Sequence, residues 1–276
     1  MALTVNTNLS SMKAANSLNA TQGNLSNTLG RISSGLRVNK AADDAAGAAV
    51  AQNLSTLARS GRQAIRNAND GVSVIQTAEA ASKEVLSILD RMRELAVQSS
   101  SETLDDDERS YIDSEFDDLS AEVERIAQSN EFNDIALSDG TNTTLTVQVG
   151  VTNGTESQVD ITLGDLTSSN LGVNTAAIDL STASTAQSAI DEIDSAIDSV
   201  NSIRADYGSV QNRLDSAMSN MTTYVESLTA ASSQIMDADY AHETAEMTRL
   251  QVMQQAGVAS LAQAKSMNQS VISLLN

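Results

Sequence analysis

Residues 74–98 read VIQTAEAASKEVLSILDRMRELAVQ, and the fold turns on how their apolar positions recur. Val74, Ala78, Ala81, Val85, Ile88, Met92 and Leu95 follow one another at steps of four and three, the spacing that aligns one face of a helix along a packing seam. Moving toward the N-terminus, Val5, Leu9 and Met12 start a similar pattern, continued by the interleaved sets Leu18, Leu25, Ile32 and Leu29, Leu36. This is one long amphipathic helix or two, ended by the Gly- and Asp-containing stretch Ser33 to Gly47. Moving the other way, Ser100 to Thr103 breaks the quoted helix, and Asp105 to Glu108 form an acidic first turn suited to the positive end of the next helix dipole. That third helix carries Ile112, Phe116, Leu119, Val123 and Ile126.

The middle changes period. Leu145, Val147, Val149 and Val151 alternate, Asn153-Gly154 follows, and Val159, Ile161 and Leu163 alternate again, which predicts a β-hairpin. Thr167 to Ser188, rich in Ser, Thr and Asn, reads as a loop returning to the helices and as the place most tolerant of sequence change or glycan attachment. Heptad spacing then resumes through Ile193, Ile197, Val200, Arg204, Tyr207, Gln211, Leu214, Met218, Met221, Val225 and Leu228. After a break at Asp237 to Tyr240 it runs on as Leu250, Met253, Gly257, Ser260, Ala264, Met267, Val271 and Leu274. The expected fold is mainly α: a long antiparallel helical bundle or coiled coil formed by the N- and C-terminal arms, with a small central β-hairpin region.

Composition agrees. The 276 residues include no Pro, Cys or Trp, two Phe and four Tyr, so Leu, Ile, Val, Met and Ala must fill the seams. The formal charge of -20 is unevenly placed: residues 1–42 and 247–276 contain no acid. An acidic middle repels nucleic-acid phosphates and keeps a chain soluble. No stretch approaches eighteen consecutive apolar residues, so no membrane span is expected, and Met1 to Leu18 has no signal-peptide core.

Two domains follow from folding the arms back on each other: residues 1–44 with 236–276 as a terminal coiled coil, and 45–235 as a bundle with the hairpin insert at about 140–175. A lone helix pair cannot cover its stripes. Leu18, Leu25, Ile32, Leu250, Met253, Met267, Val271 and Leu274 are therefore expected to mediate self-assembly. No catalytic, cofactor or metal site is expected. His242 is the single histidine, there is no GxSxG, P-loop or GxGxxG, and the Asp105 to Glu108 cluster lacks the glycine and terminal glutamate of a calcium loop.

Both ends resemble bacterial flagellin. Ser33-Ser34-Gly35-Leu36-Arg37-Val38-Asn39 running to Asp43-Asp44-Ala45-Ala46-Gly47 is similar to the family's most diagnostic N-terminal motif, and Asn67 to Ser73 and Arg91 to Ser99 are similar to the next two. Arg204-Ala205-Asp206-Tyr207-Gly208, Gln211-Asn212-Arg213, Asp239-Tyr240-Ala241 and Gln254 to Leu275 complete the likeness, which covers about residues 1–135 and 190–276. Departures are Asn133-Asp134 where Asn-Gly is common, Tyr207 where Leu is usual, and Asn268 where Pro is frequent.

The resemblance implies a short flagellar filament subunit without large outer domains, built for swimming, secreted to the extracellular flagellum, and with no enzymatic activity. Its terminal helices would form the filament core. Implied partners are other copies of the chain, an export chaperone on the C-terminal arm from about Asp237 to Asn276, the flagellar type III export apparatus, the filament cap and hook-associated proteins. Arg91, Leu95 and Glu115 match positions by which a Toll-like immune receptor engages flagellins. The alternatives are a hook-filament junction protein of the same superfamily, which shares the terminal helices, and an adhesin or enzyme on this frame, for which residues 136–185 are too few.

Overall fold

The structure, a computed structural model, describes residues 7–273, with side chains described for residues 7–266. Among the described residues are five helices: α1 (Leu9–Ser34), α2 (Ala45–Ser99), α3 (Asp106–Ser129), α4 (Ala183–Met236) and α5 (Tyr240–Ser273). Four short strands lie between α3 and α4: β1 (Glu131–Phe132), β2 (Ile135–Ala136), β3 (Thr144–Gln148) and β4 (Gln158–Thr162). The mainly helical class expected from the sequence is what forms, and the N-terminal arm holds one helix where one or two were open. The chain divides into two compact units, residues 1–56 with 226–276 and residues 57–225, with both borders falling inside α2 and α4.

In the larger unit α2 and α4 run antiparallel, because pairs that rise along one helix fall along the other. Glu79 meets Arg204 at 3.7 Å and Arg93 meets Asp194 at 2.6 Å. α2 is approached closely at its glycines: a methyl group at Gly61 would stand 2.6 Å from Val225 Cγ2 of α4, and one at Gly71 3.1 Å from Val147 Cγ2 of β3 and 3.4 Å from Leu214 Cδ1 of α4. Along the quoted seam Val74, Ala78, Val85, Ile88, Met92 and Leu95 are buried and Ala81 is half-buried. One core sets Val85, Leu89, Met92 and Leu95 against Phe116, Val123, Ile193 and Val200. A second sets Ile75 and Ala78 against Val147, Ile161, Tyr207 and Leu214. Each large apolar side chain so buried contributes about 1.5–3 kcal/mol.

The acidic cluster starts α3. Asp105 caps the helix by accepting the Glu108 N–H at 2.8 Å, and Glu108 returns a bond to the Asp105 N–H at 3.3 Å, a reciprocal capping box. Buried Arg109 donates to the carbonyls of Ser99, Ser101 and Leu104, at 3.0 Å for Ser101 and 3.2 Å for Leu104, and so ties the end of α2 to the start of α3.

The hairpin forms, with β3 antiparallel to β4 and Val147 opposite Val159 and Leu145 opposite Ile161 on the inward face. Its turn differs from the tight Asn-Gly turn expected. Gly154 is extended (φ -148°, ψ 157°), and a 3-10 turn at Thr155–Ser157 completes a longer connection. The two-residue turn lies instead between β1 and β2, where Asn133 and Asp134 both take positive φ (52° and 62°), the geometry of a type I′ turn. The stretch after the hairpin is also not a free loop. Leu166, Leu171, Val173, Ile178 and Leu180 are buried in the first core, Ser99 Oγ donates to the Leu180 carbonyl at 2.7 Å, and α4 already begins at Ala183.

Candidate assembly surface on the terminal helices

The smaller unit pairs α1 with α5. Asn8 caps α1 by accepting the Ser11 N–H at 3.0 Å, and its Nδ2 donates to the Ala264 carbonyl at 2.9 Å. Gly35 closes the helix in the left-handed region (φ 71°), its N–H bonded to the Arg31 carbonyl at 2.8 Å. On the other arm, Asp239 accepts the N–H groups of Ala241 (2.9 Å) and His242 (3.2 Å) and starts α5. The two breaks face each other: the Arg37 N–H donates to the Met236 carbonyl at 2.6 Å and the Ala238 N–H to the Gly35 carbonyl at 2.9 Å. With Asn8 near Ala264 and Gly35 near Ala238, the helices run antiparallel.

The face α1 turns toward α5 is only partly apolar. Thr21 and Thr28 are buried, while Leu18, Leu25 and Ile32, three of the expected assembly residues, are half-buried on the same side. On α5 Glu243 and Leu250 are buried, and Met247, Gln254, Gly257, Leu261 and Ala264 are half-buried at steps of three and four. Arg31 reaches Glu243 at 3.4 Å. A methyl group at Gly257 would stand 3.3 Å from Leu18 Cδ1, so the glycine admits the leucine.

The α5 seam therefore differs from the one read in the sequence: Gln254 and Leu261 take the places assigned to Met253 and Ser260, which point outward. The side chains of Met267, Val271 and Leu274 lie outside the described residues.

What the pair leaves uncovered mixes polar side chains such as Asn16, Asn24, Gln251 and Gln255 with large apolar ones. Leu9, Met12, Leu29, Tyr240, Val252, Met253 and Val258 are between 44% and 63% exposed. With Val50, eight exposed large apolar or aromatic side chains belong to the smaller unit, against Val97, Tyr111 and Tyr224 in the larger. On α1 and α5, the exposed apolar residues that the sequence did not single out are Val252 and Val258. Their signal was weak but present, as apolar residues beside the heptad seam in an acid-free arm. Exposed charges on the pair include Lys13, Lys265 and Arg249, and Arg249 bonds half-buried Glu246 (Nε to Oε2, 2.8 Å) and thereby holds that carboxyl below its usual range.

The residues matched to receptor contacts lie in the larger unit. Arg91 Nη2 donates to Glu115 Oε1 at 2.8 Å and its Nη1 to Glu94 Oε2 at 2.9 Å, the Arg91 and Glu115 side chains about half exposed and Glu94 more so. Leu95 is only 1% exposed and belongs to the core, so it offers no surface in the free subunit. His242 is exposed, and no group of three or more His, Asp or Glu among the described residues is placed to hold a metal. No described helix is long and apolar enough to cross a membrane.

This arrangement has known counterparts. The bacterial flagellin N-terminal helical region matches residues 5–143, and the bacterial flagellin C-terminal helical region matches residues 190–275. The flagellin of Halalkalibacterium halodurans is 41% identical over 271 residues, covering 98% of this chain and 99% of that one. The flagellar filament 33 kDa core protein of Treponema phagedenis is 35% identical over 283 residues, with 98% and 99% covered. The crystal structure of Bacillus cereus flagellin superposes with a TM-score of 0.50 at 30% identity, over 56% of this chain and 88% of that one. These likenesses are to filament proteins, which disfavours the junction protein and places the chain among structural proteins and not enzymes. With both helical regions matched and relatives aligned almost from end to end, the chain belongs to the bacterial flagellin family.

Proposed function

We propose that this flagellin propagates a flagellar filament by burying the outward faces of α1 and α5 between neighbouring copies. Residues 1–44 and 236–276 act as the assembly domain, and residues 45–235 as the bundle that carries it. One observation supports this above the rest: the terminal pair keeps large apolar side chains in water on the side its partner helix does not cover, from Leu9 and Met12 on α1 to Val252 and Val258 on α5. Covering apolar surface is the main drive for association, and one patch repeated on every copy generates a helical polymer when the contacts do not close.

The same exposed face explains the remaining partners within this proposal. An export chaperone wraps α5 and hides Val252, Met253 and Val258 until delivery. The flagellar type III export apparatus, the filament cap and hook-associated proteins handle the arms during passage and insertion, and the product stands outside the cell. A Toll-like receptor, where one is met, engages the exposed Arg91 and Glu115 and not the buried Leu95 side chain. Seeded elongation tests the reading. Full-length protein added to filament fragments should extend them, and a chain lacking Leu250 to Asn276 should remain a helical monomer. Robust filaments from the truncated chain would remove the proposal.

A further inference from the structure

The chain has nine methionines and no cysteine, so its thioethers are its readily oxidised sulfur groups. Their settings are unequal. Met92 is fully buried in the bundle, and Met218, Met221, Met236 and Met247 are half-buried, whereas Met12 is 59% and Met253 44% exposed. Among the described residues these are the two exposed methionines, and both lie on the uncovered faces of the terminal helices. The Met253 sulfur has a specific neighbour as well: Arg249 Nη1 donates to Sδ at 3.1 Å.

From this placement we infer that Met12 and Met253 form a peroxide-responsive modification site that controls whether a free subunit can join the polymer. The inference rests on the assembly reading above. In the reaction the O–O bond of hydrogen peroxide breaks, one oxygen bonds to the thioether sulfur, which gives up two electrons, and the second oxygen leaves as water with both protons. The product sulfoxide is polar and chiral. At position 253 its oxygen meets a cationic donor already in place, so the free subunit accommodates it. Between copies the same oxygen must leave water beside the apolar Val252 and Val258, and an incompletely paired polar group there is costly. Oxidation therefore lowers addition to filament ends, while subunits already packed shield both sulfurs from the oxidant.

The test uses the full chain treated with hydrogen peroxide, with peptide mass mapping of the added oxygen and seeded elongation of the same sample. Met12 and Met253 should gain oxygen before Met92. Treated protein should elongate about tenfold more slowly or worse, as burial of an incompletely paired polar group implies. Methionine sulfoxide reductase should restore the rate, and the double variant Met12→Leu, Met253→Leu, compared with its own untreated rate, should lose nothing to peroxide. Leucine keeps side-chain volume and helix propensity, so this variant folds. Unimpaired elongation by protein oxidised at both positions would overturn the inference, and so would equal peroxide sensitivity of the double variant. If untreated protein fails to extend seeds, the filament reading itself falls. The mapping then decides the chemistry alone, and oxidation of Met92 ahead of Met253 would reject the site.

Discussion

Changing Val252 to glutamate separates folding from assembly. Val252 is 59% exposed on α5. In the free subunit the substitution is close to neutral, since glutamate favours helix, the position is solvated, and such surface changes stay within about 0.5 kcal/mol. Arg249, one turn earlier, offers the new carboxylate a cation of opposite sign. At a subunit contact the balance is different. The valine's remaining exposed surface no longer gains from burial, a loss of roughly 1 kcal/mol, and a carboxylate taken from water with only Arg249, already engaged by Glu246, beside it adds about 2 kcal/mol more. A combined penalty near 3 kcal/mol raises the critical concentration for elongation about a hundredfold. Thermal melting by circular dichroism should show an unchanged subunit, and sedimentation of seeded reactions should show the polymer lost. Normal elongation by Val252→Glu would refute the reasoning, as would a large fall in melting temperature, which would mean the side chain faces inward.

Other outcomes follow from the larger unit and from charge. Phe116→Ala removes a fully buried ring and should cost about 3–5 kcal/mol, read as a lowered melting temperature. The Asp117 carboxyl is held above its usual range, chiefly by partial burial and then by the nearby charges of Asp113, Asp118 and Asp179. Its ionised form thus weighs against the fold at neutral pH, and that penalty disappears as pH falls below the ordinary carboxylate value. Asp117→Asn should therefore raise the melting temperature at neutral pH, with an advantage over the parent that vanishes in acid. Because the acidic middle regions of adjacent copies repel in the polymer, added salt should lower the critical concentration, and a rise would count against that arrangement.

Much of the fold was legible because α2 and α4 carry side chains that differ sharply between faces. Val85, Met92 and Leu95, or Tyr207 and Leu214, mark their seams without ambiguity. On α5, apolar and small residues occur on every side, so spacing alone could not tell whether Met253 or Gln254 faced inward. The segment from Leu166 to Leu180 was opaque for another reason. Its five large apolar residues follow no period, and their burial depends on Phe116 in α3 and Ile193 in α4. Asn133-Asp134 did carry a turn signal, but without glycine it was weaker than Asn153-Gly154, which turned out extended. The assembly face was half visible. Leu18, Leu25 and Ile32 were read as a stripe to be covered by other copies, and they are mostly covered by α5, while the residues left bare lie around them.

Side-chain footprinting of free subunits against filaments meets the central claim head on. Leu9, Leu29, Val252 and Val258 should label strongly in the free chain and lose most of that labelling in the polymer. Phe116, buried in both, should stay dark throughout. Equal labelling of the α1 and α5 residues in the two states would show that those faces stay in water after assembly, and that the filament is held together elsewhere.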